Sequence, residues 1–114
     1  MSLPDSTKQQ LEQILSPYCE KRIPPHARHQ VRMTYSFRGN SVTLIEERPA
    51  FGQPETWVKI PVAQFRYDEK NKEWTLYCVD RNSKWHVYDE IEPTIDFESL
   101  LQEVDDDPTR IFWG

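Results

Sequence analysis

The sequence predicts an α+β fold, in which a single antiparallel β-meander sheet of about five to six strands packs against an N-terminal and a C-terminal helix. Three observations predict this class. Apolar residues recur at helical spacing near both ends of the chain, they alternate with polar residues between positions 31 and 89, and short turn-forming segments separate the alternating runs. The chain has 114 residues, the usual length of one domain, so we assign residues 1–114 to a single domain.

The first helix is predicted over residues 6–22. Ser6 followed three residues later by Gln9 is a capping-box pattern. The apolar stripe of this helix consists of Leu11, Ile14, Leu15, Tyr18 and Cys19. Pro17 lacks a backbone N–H, so a kink or a restart is expected just before it, and Pro24-Pro25 ends the helix.

A hairpin follows the helix. Residues 31–38 alternate between apolar and polar side chains, and Gly39-Asn40 is typical of a two-residue type II′ turn. The register that this turn imposes pairs Phe37 with Val42, Tyr35 with Leu44 and Arg32 with Glu47. Both faces of the hairpin are then chemically sensible, with apolar pairs on one side and an opposite-charge pair on the other.

The remaining strands are predicted at residues 55–60, 62–67, 74–79 and 85–89. Pro61 separates the first two, because proline cannot donate to a strand ladder. Asn82-Ser83 is interpreted as the turn before the last strand. Thr94 or Asp96 then caps a final helix whose apolar positions are Phe97, Leu100, Leu101 and Val104.

The tightest loops predict which side chains share a face of the last three strands. The predicted core face carries Ala63, Phe65, Tyr67, Trp74, Leu76, Cys78, Trp85 and Val87. The opposite face carries Val62, Gln64, Arg66, Thr75, Tyr77, Val79, His86 and Tyr88. On that second face Tyr77 and Tyr88 are expected to be neighbours. The face is more polar than a core and more aromatic than an ordinary solvent face, so it is either a binding surface or covered by another segment such as Ile111-Phe112-Trp113.

Charge is distributed unevenly along the chain. The net charge is −5, which disfavours a strongly basic nucleic-acid binder. Residues 21–38 nevertheless contain five Lys or Arg and no acid, whereas residues 89–107 contain nine acids and no Lys or Arg. The two segments either face each other or form separate charged patches. The basic-patch candidates are Arg22, His26, Arg28 and Arg32.

Few motifs in the chain point to catalysis or a cofactor. There is no glycine-rich phosphate loop and no G-x-S-x-G nucleophile turn, and the two cysteines are far apart in sequence, unlike paired zinc ligands. We expect no cofactor, metal or catalytic residue, and in the predicted register Asp80 points away from His86. The chain has no apolar run of membrane-spanning length and no apolar signal core, so we expect a cytoplasmic protein without a membrane partner.

Several separated segments carry a resemblance to a known family. They are RIPPHAR, SVTLIEERP, PVAQFRYDEKNKEWTLY, DRNSKWHVY, DDDP and FWG. In this order they resemble a family of short bacterial proteins, the domain of unknown function 3024. The resemblance extends from about Arg22 to Gly114 and implies a stand-alone cytoplasmic bacterial protein. It implies no activity.

The sequence therefore favours a non-catalytic interaction module, with an unknown protein as its partner. The candidate binding residues are Arg66, Tyr77, His86 and Tyr88, with Arg81 and Lys84 at the rim. Aromatic and arginine side chains commonly anchor interfaces. Three alternatives stay open: single-stranded nucleic-acid binding, a small metal-dependent hydrolase or nuclease that uses His86, and a homodimer.

Overall fold

A computed structural model describes residues 2–113. Its elements are helix α1 (Asp5–Arg22), strands β1 (Arg32–Arg38), β2 (Ser41–Ala50), β3 (Gln53–Asp68), β4 (Glu73–Val79) and β5 (Trp85–Val87), and helix α2 (Phe97–Asp106), with a 3₁₀ turn at Pro25–Ala27. The strands form one antiparallel sheet in the order β1-β2-β3-β4-β5. The predicted α+β meander between two helices is confirmed, with five strands in the described range.

Helix α1 is continuous from Asp5 to Arg22 although Pro17 lies inside it. Its buried stripe consists of Leu11, Leu15 and Cys19. The predicted capping box is wrong, because Pro4 occupies the N-cap position and no side chain caps the helix. Burial of the stripe against the sheet compensates for the backbone hydrogen bond that Pro17 cannot donate.

The first hairpin is as predicted. Phe37 lies opposite Val42, Tyr35 opposite Leu44 and Arg32 opposite Glu47. Gly39 has a φ of 57°, which suits the first central position of a type II′ turn. A two-residue turn leaves no freedom in the register, which is why the sequence was sufficient here.

Strand β3 merges two predicted strands into one of 16 residues. The register shifts by one residue between Leu44 and Ile45, whose partners are Ala63 and Pro61, so Val62 is the extra residue of a β-bulge. Val62 and Ala63 are consequently both buried. The prediction that Val62 lies on the face opposite the core is therefore wrong, because a bulge interrupts the alternation of side chains.

Both helices cover the same face of the sheet, which we call the inner face. The buried core between them includes Phe65, Leu76, Leu15, Leu100 and Val104. All four predicted apolar positions of α2 are buried. No helix among residues 2–113 is long and apolar enough to cross a membrane.

The β2–β3 hairpin extends beyond this core as an arm, residues 48–61. Strand β1 pairs with β2 only as far as Glu47, and β4 pairs with β3 only from Ala63 onward. The arm is thus a two-stranded ribbon, and the molecule reaches 46 Å along its longest axis.

Candidate interaction surface

The face opposite the helices, which we call the outer face, is open within the part of the chain that the structure describes. Both helices pack on the inner face, and the outer-face side chains of β2 to β5 are half-buried or exposed. They include Thr43, Gln64, Arg66, Thr75, Tyr77, Val79, Trp85 and Val87. The tail segment around Phe112 is not their cover, because Phe112 packs in the inner core.

Arg66 is held in place on the outer face by its neighbours. Its Nε donates to Gln64 Oε1 at 2.6 Å, and Gln64 Nε2 donates to Thr43 Oγ1 at 3.0 Å. The Arg66 guanidinium lies 3.8 Å from the centre of the Tyr77 ring, a cation–π arrangement. The predicted placement of Arg66 and Tyr77 on this face is confirmed. Because the pair is already ordered, a ligand would bind it with a small loss of side-chain entropy.

The predicted register between β4 and β5 is wrong by one residue. Tyr77 lies opposite Val87, and Val79 lies opposite Trp85. A one-residue shift moves every side chain of a strand to the other face. Trp85 and Val87, predicted in the core, therefore lie on the outer face, where Val87 is 54% exposed.

The turn between β4 and β5 explains the shift. It contains three residues, because Asp80 N–H donates to the Lys84 carbonyl and Ser83 N–H donates to the Asp80 carbonyl. Ser83 adopts a left-handed φ of 64°, the third position of a common three-residue hairpin loop. Asp80 Oδ1 accepts N–H groups from Asn82 and Lys84. Asp68 at the start of the preceding hairpin loop likewise accepts backbone N–H groups, from Lys70 and Asn71. An aspartate at the end of a strand is therefore the feature of the sequence that indicates such a loop.

Tyr88 lies inside the protein and not on the outer face. Its side chain is 3% exposed, its hydroxyl donates to Glu103 Oε2 at 2.8 Å, and its ring packs 5.0 Å from that of Phe112. Burial and the neighbouring Glu103 carboxylate raise the pKa of Tyr88. The prediction that Tyr88 lies on the open face beside Tyr77 is therefore wrong, because its ring is enclosed in the core.

His86 is directed to the inner side of the sheet edge, opposite Cys78. Its Nε2 lies 2.6 Å from Asp80 Oδ2, so the prediction that Asp80 points away is wrong. The backbone N–H of Lys84 and then the His86 side chain lower the pKa of Asp80. The Asp80 carboxylate thus accepts hydrogen bonds from the Asn82 and Lys84 N–H groups and from His86, and these contacts hold the loop in place. Arg81 and Lys84, the predicted rim, are exposed on the same loop.

The four basic-patch candidates do not converge on one point. Arg28 and Arg32 line a groove of about 320 Å³ beside Cys19, Val31 and Met33. The Arg28 guanidinium donates to the Glu20 carbonyl, and His26 is exposed on the 3₁₀ turn. The Arg32 guanidinium lies 3.7 Å from the Trp57 ring centre on the outer face.

Arg22 turns away from that groove toward the C-terminal tail. It lies 3.7 Å from Asp105 and stacks 4.1 Å from the Trp113 ring centre. The Tyr18 hydroxyl also donates to Asp105, at 3.0 Å. The basic and acidic segments of the sequence thus meet at this point, and Arg22 is engaged in holding the tail.

The cysteines and carboxylates show no metal geometry in the described range. Residues 2–113 contain no group of three or more His, Cys, Asp or Glu side chains placed to hold a metal ion. Cys19 and Cys78 are free and buried, and burial raises the pKa of both thiols, that of Cys19 to about 11. Asp107 accepts the backbone N–H groups of Phe112 and Trp113, at 3.1 and 2.8 Å, so its carboxylate anchors the tail.

The fold and its surface define a small α+β protein with an open aromatic sheet face. Residues 3–114 match the model of the family described as domain of unknown function (DUF3024), and the chain belongs to this family. Comparison with curated proteins and with solved structures found no match.

Proposed function

We propose that this protein is a non-catalytic interaction module of the bacterial cytoplasm, which binds a protein partner through the outer face of its sheet. The observation that carries the proposal is a cluster on that face, here called the outer patch: Tyr77, Val79, Trp85 and Val87, with Arg66 stacked on Tyr77. The outer face carries Trp85 and Val87 in place of the predicted His86 and Tyr88, so this surface is more apolar than the sequence predicted.

The composition of the outer patch favours a protein as the partner. Tryptophan, tyrosine and arginine are the residue types that most often dominate binding energy at interfaces. Here they lie on a rigid sheet, and Arg66 is held by Gln64 at 2.6 Å. A partner with an apolar centre and carboxylates at its rim would match the patch, because Arg66, Arg81 and Lys84 are its flanking cations.

The arrangement supports catalysis and nucleic-acid binding less well. His86 and Asp80 close a turn, and the described residues offer no metal cluster beside them. On the rings of Tyr77 and Trp57, one face is already occupied by a guanidinium. Stacking of successive bases requires free ring faces, and the net charge of −5 opposes a polyanion.

The proposal is tested by comparing two matched aspartate substitutions. Val87→Asp places a charge on the outer patch, whereas Ile95→Asp places one at an exposed apolar position before α2. Immobilised wild-type protein and both variants are used to capture proteins from a bacterial lysate, and the captured proteins are quantified by mass spectrometry. We expect a partner retained by wild type and Ile95→Asp but reduced about 30-fold by Val87→Asp, the effect of losing an interface hot spot.

Three outcomes would contradict the proposal. One is equal capture by all three proteins, with circular dichroism showing each to be folded. Another is phosphoesterase activity that is lost with a chelator and in His86→Ala, which would assign the hydrolase alternative. The last is binding of a single-stranded oligonucleotide whose affinity falls steeply with salt, which would assign the nucleic-acid alternative.

A further inference from the structure

Strand β3 has a long edge without a strand partner in the described part of the chain. Its side toward β2 is paired from Trp57 to Arg66 around the Val62 bulge, and again at Gln53, but β4 occupies its other side only from Ala63 to Asp68. Residues 53–61 therefore present an open edge. An open edge exposes unpaired N–H and C=O groups that can pair with another strand.

The arm that carries this edge is also apolar for an exposed element. Val58 is 44% exposed and Ile60 is 43% exposed, both on the inner face, and Phe51 at the tip is fully exposed. These residues contribute little to the core of their own chain. Exposed apolar residues grouped on one element mark an interaction surface.

We propose that this edge pairs in antiparallel fashion with the same edge of a second copy, with Trp57 on the two-fold axis. Residue numbers of paired positions then add to 114. In that register Glu55 lies opposite the partner's Lys59, and Lys59 lies opposite the partner's Glu55. The two Trp57 side chains become cross-strand neighbours on the outer face, and such aromatic pairs stabilise antiparallel strands.

Charge complementarity selects both the partner and the register. Lys59 and Trp57 lie on the outer face, because they pair with Glu47 and Pro49 of β2. Glu55 lies outside the residues that pair with β2, and the two-residue alternation of side chains along β3 assigns it to the same face. In a continuous two-fold sheet, two paired residues must lie on the same face. The sum of their residue numbers therefore changes in steps of two from one possible register to the next. Shifting the axis to Thr56 or Val58 places Glu55 opposite the partner's Trp57 or Pro61 and removes both ion pairs. The segment is therefore complementary to itself in one register only.

Two prolines limit the pairing to this segment. Pro54 and Pro61 bracket the six residues between them, and neither can donate a backbone hydrogen bond. The paired arms would join two five-stranded sheets into one of ten strands. The outer patch lies on β4, β5 and the part of β3 that β4 already pairs, where Arg66 lies opposite Thr75, so it stays free in this dimer. A test of the dimer is therefore independent of a test of the proposed function.

The test exchanges charges at the two opposed positions. Sedimentation velocity of the full chain over a concentration series gives the dimer dissociation constant for wild type, Glu55→Lys, Lys59→Glu and the double variant. Each single variant opposes like charges at two symmetric places, so we expect dimerisation weakened about tenfold or more. The double variant restores two opposite-charge pairs and is expected to recover wild-type affinity. Glu69→Lys, on the exposed β3–β4 loop, is the matched control.

Three results would overturn the inference. A wild-type protein that stays monomeric throughout the concentration series excludes the dimer. A dimer that both single variants leave unchanged lies on another surface. A double variant as weak as the single ones shows that positions 55 and 59 do not face each other. Because these side chains are exposed, the variants are expected to fold, which circular dichroism checks.

Discussion

Replacing Tyr88 by alanine is expected to destabilise the protein far more than the same replacement at Tyr77. Tyr88 is 3% exposed and packs against Phe112. Truncation of a large buried aromatic side chain costs about 3–5 kcal/mol. Tyr77 is half-buried on the open face, where its loss removes mainly the contact with Arg66 and costs about 1 kcal/mol.

A third substitution separates the ring of Tyr88 from its hydroxyl. Tyr88→Phe keeps the packing and removes the 2.8 Å hydrogen bond to Glu103, which is expected to cost about 1 kcal/mol. Urea unfolding of wild type and the three variants, followed by tryptophan fluorescence, gives the free energy of unfolding for each.

The order of these free energies tests the register between β4 and β5. The structure requires Tyr88→Ala to be the most destabilising change, Tyr88→Phe to be mild, and Tyr77→Ala to be comparable with Tyr88→Phe. Equal losses for the two alanine variants would place both tyrosines on one face, and the register described above would be wrong.

Two further predictions concern buried groups elsewhere in the chain. In a Cys78→Ala background, Cys19 should react with a disulfide reagent at pH 8 about 100-fold more slowly in the folded than in the unfolded protein, since burial raises its pKa from 9.0 to about 11. Because the pKa of Cys19 is higher in the folded than in the unfolded protein, the free energy of unfolding should fall as pH rises from about 9 to about 11. A Cys19 thiol that reacts as fast in the folded as in the unfolded protein would refute its burial. Asp107→Ala should remove two hydrogen bonds to the tail, lower the unfolding free energy by about 1–3 kcal/mol and free the Trp113 ring, measured by fluorescence quenching. Asp106→Ala, at the neighbouring exposed position, is the control, and an equal effect of the two substitutions would refute the anchoring role.

Local patterns were sufficient wherever neighbouring residues alone decide the geometry. The helical stripe of α2 and the alternation in β1 follow from the period of the apolar residues. The β1–β2 register follows from the turn at Gly39, because a two-residue loop connects only one pair of opposed positions. Membership of the family likewise followed from motifs that are visible in the linear chain.

The composition of the candidate surface depended on two local irregularities. The turn after Asp80 contains one residue more than the predicted two-residue turn. Trp85 and Val87 therefore lie on the outer face, where His86 and Tyr88 were predicted. The bulge at Val62 reversed the alternation of β3, so Trp57 and Lys59 of the arm lie on the outer face, whereas Phe65 beyond the bulge lies on the inner face. Each irregularity shifts a strand by one residue, and side chains repeat every two residues, so a small error in loop length changes the face of a whole strand.

The spacing of apolar residues and the turn chemistry are visible in the linear chain, and they were enough to predict the two helices, the antiparallel meander and the class of fold. Which sheet face stays open and which strand edge stays unpaired became known from the folded chain alone. Both depend on where α1 and α2 pack and where β4 stops pairing with β3. Those outcomes are set by contacts between residues distant in the chain, which no local pattern records.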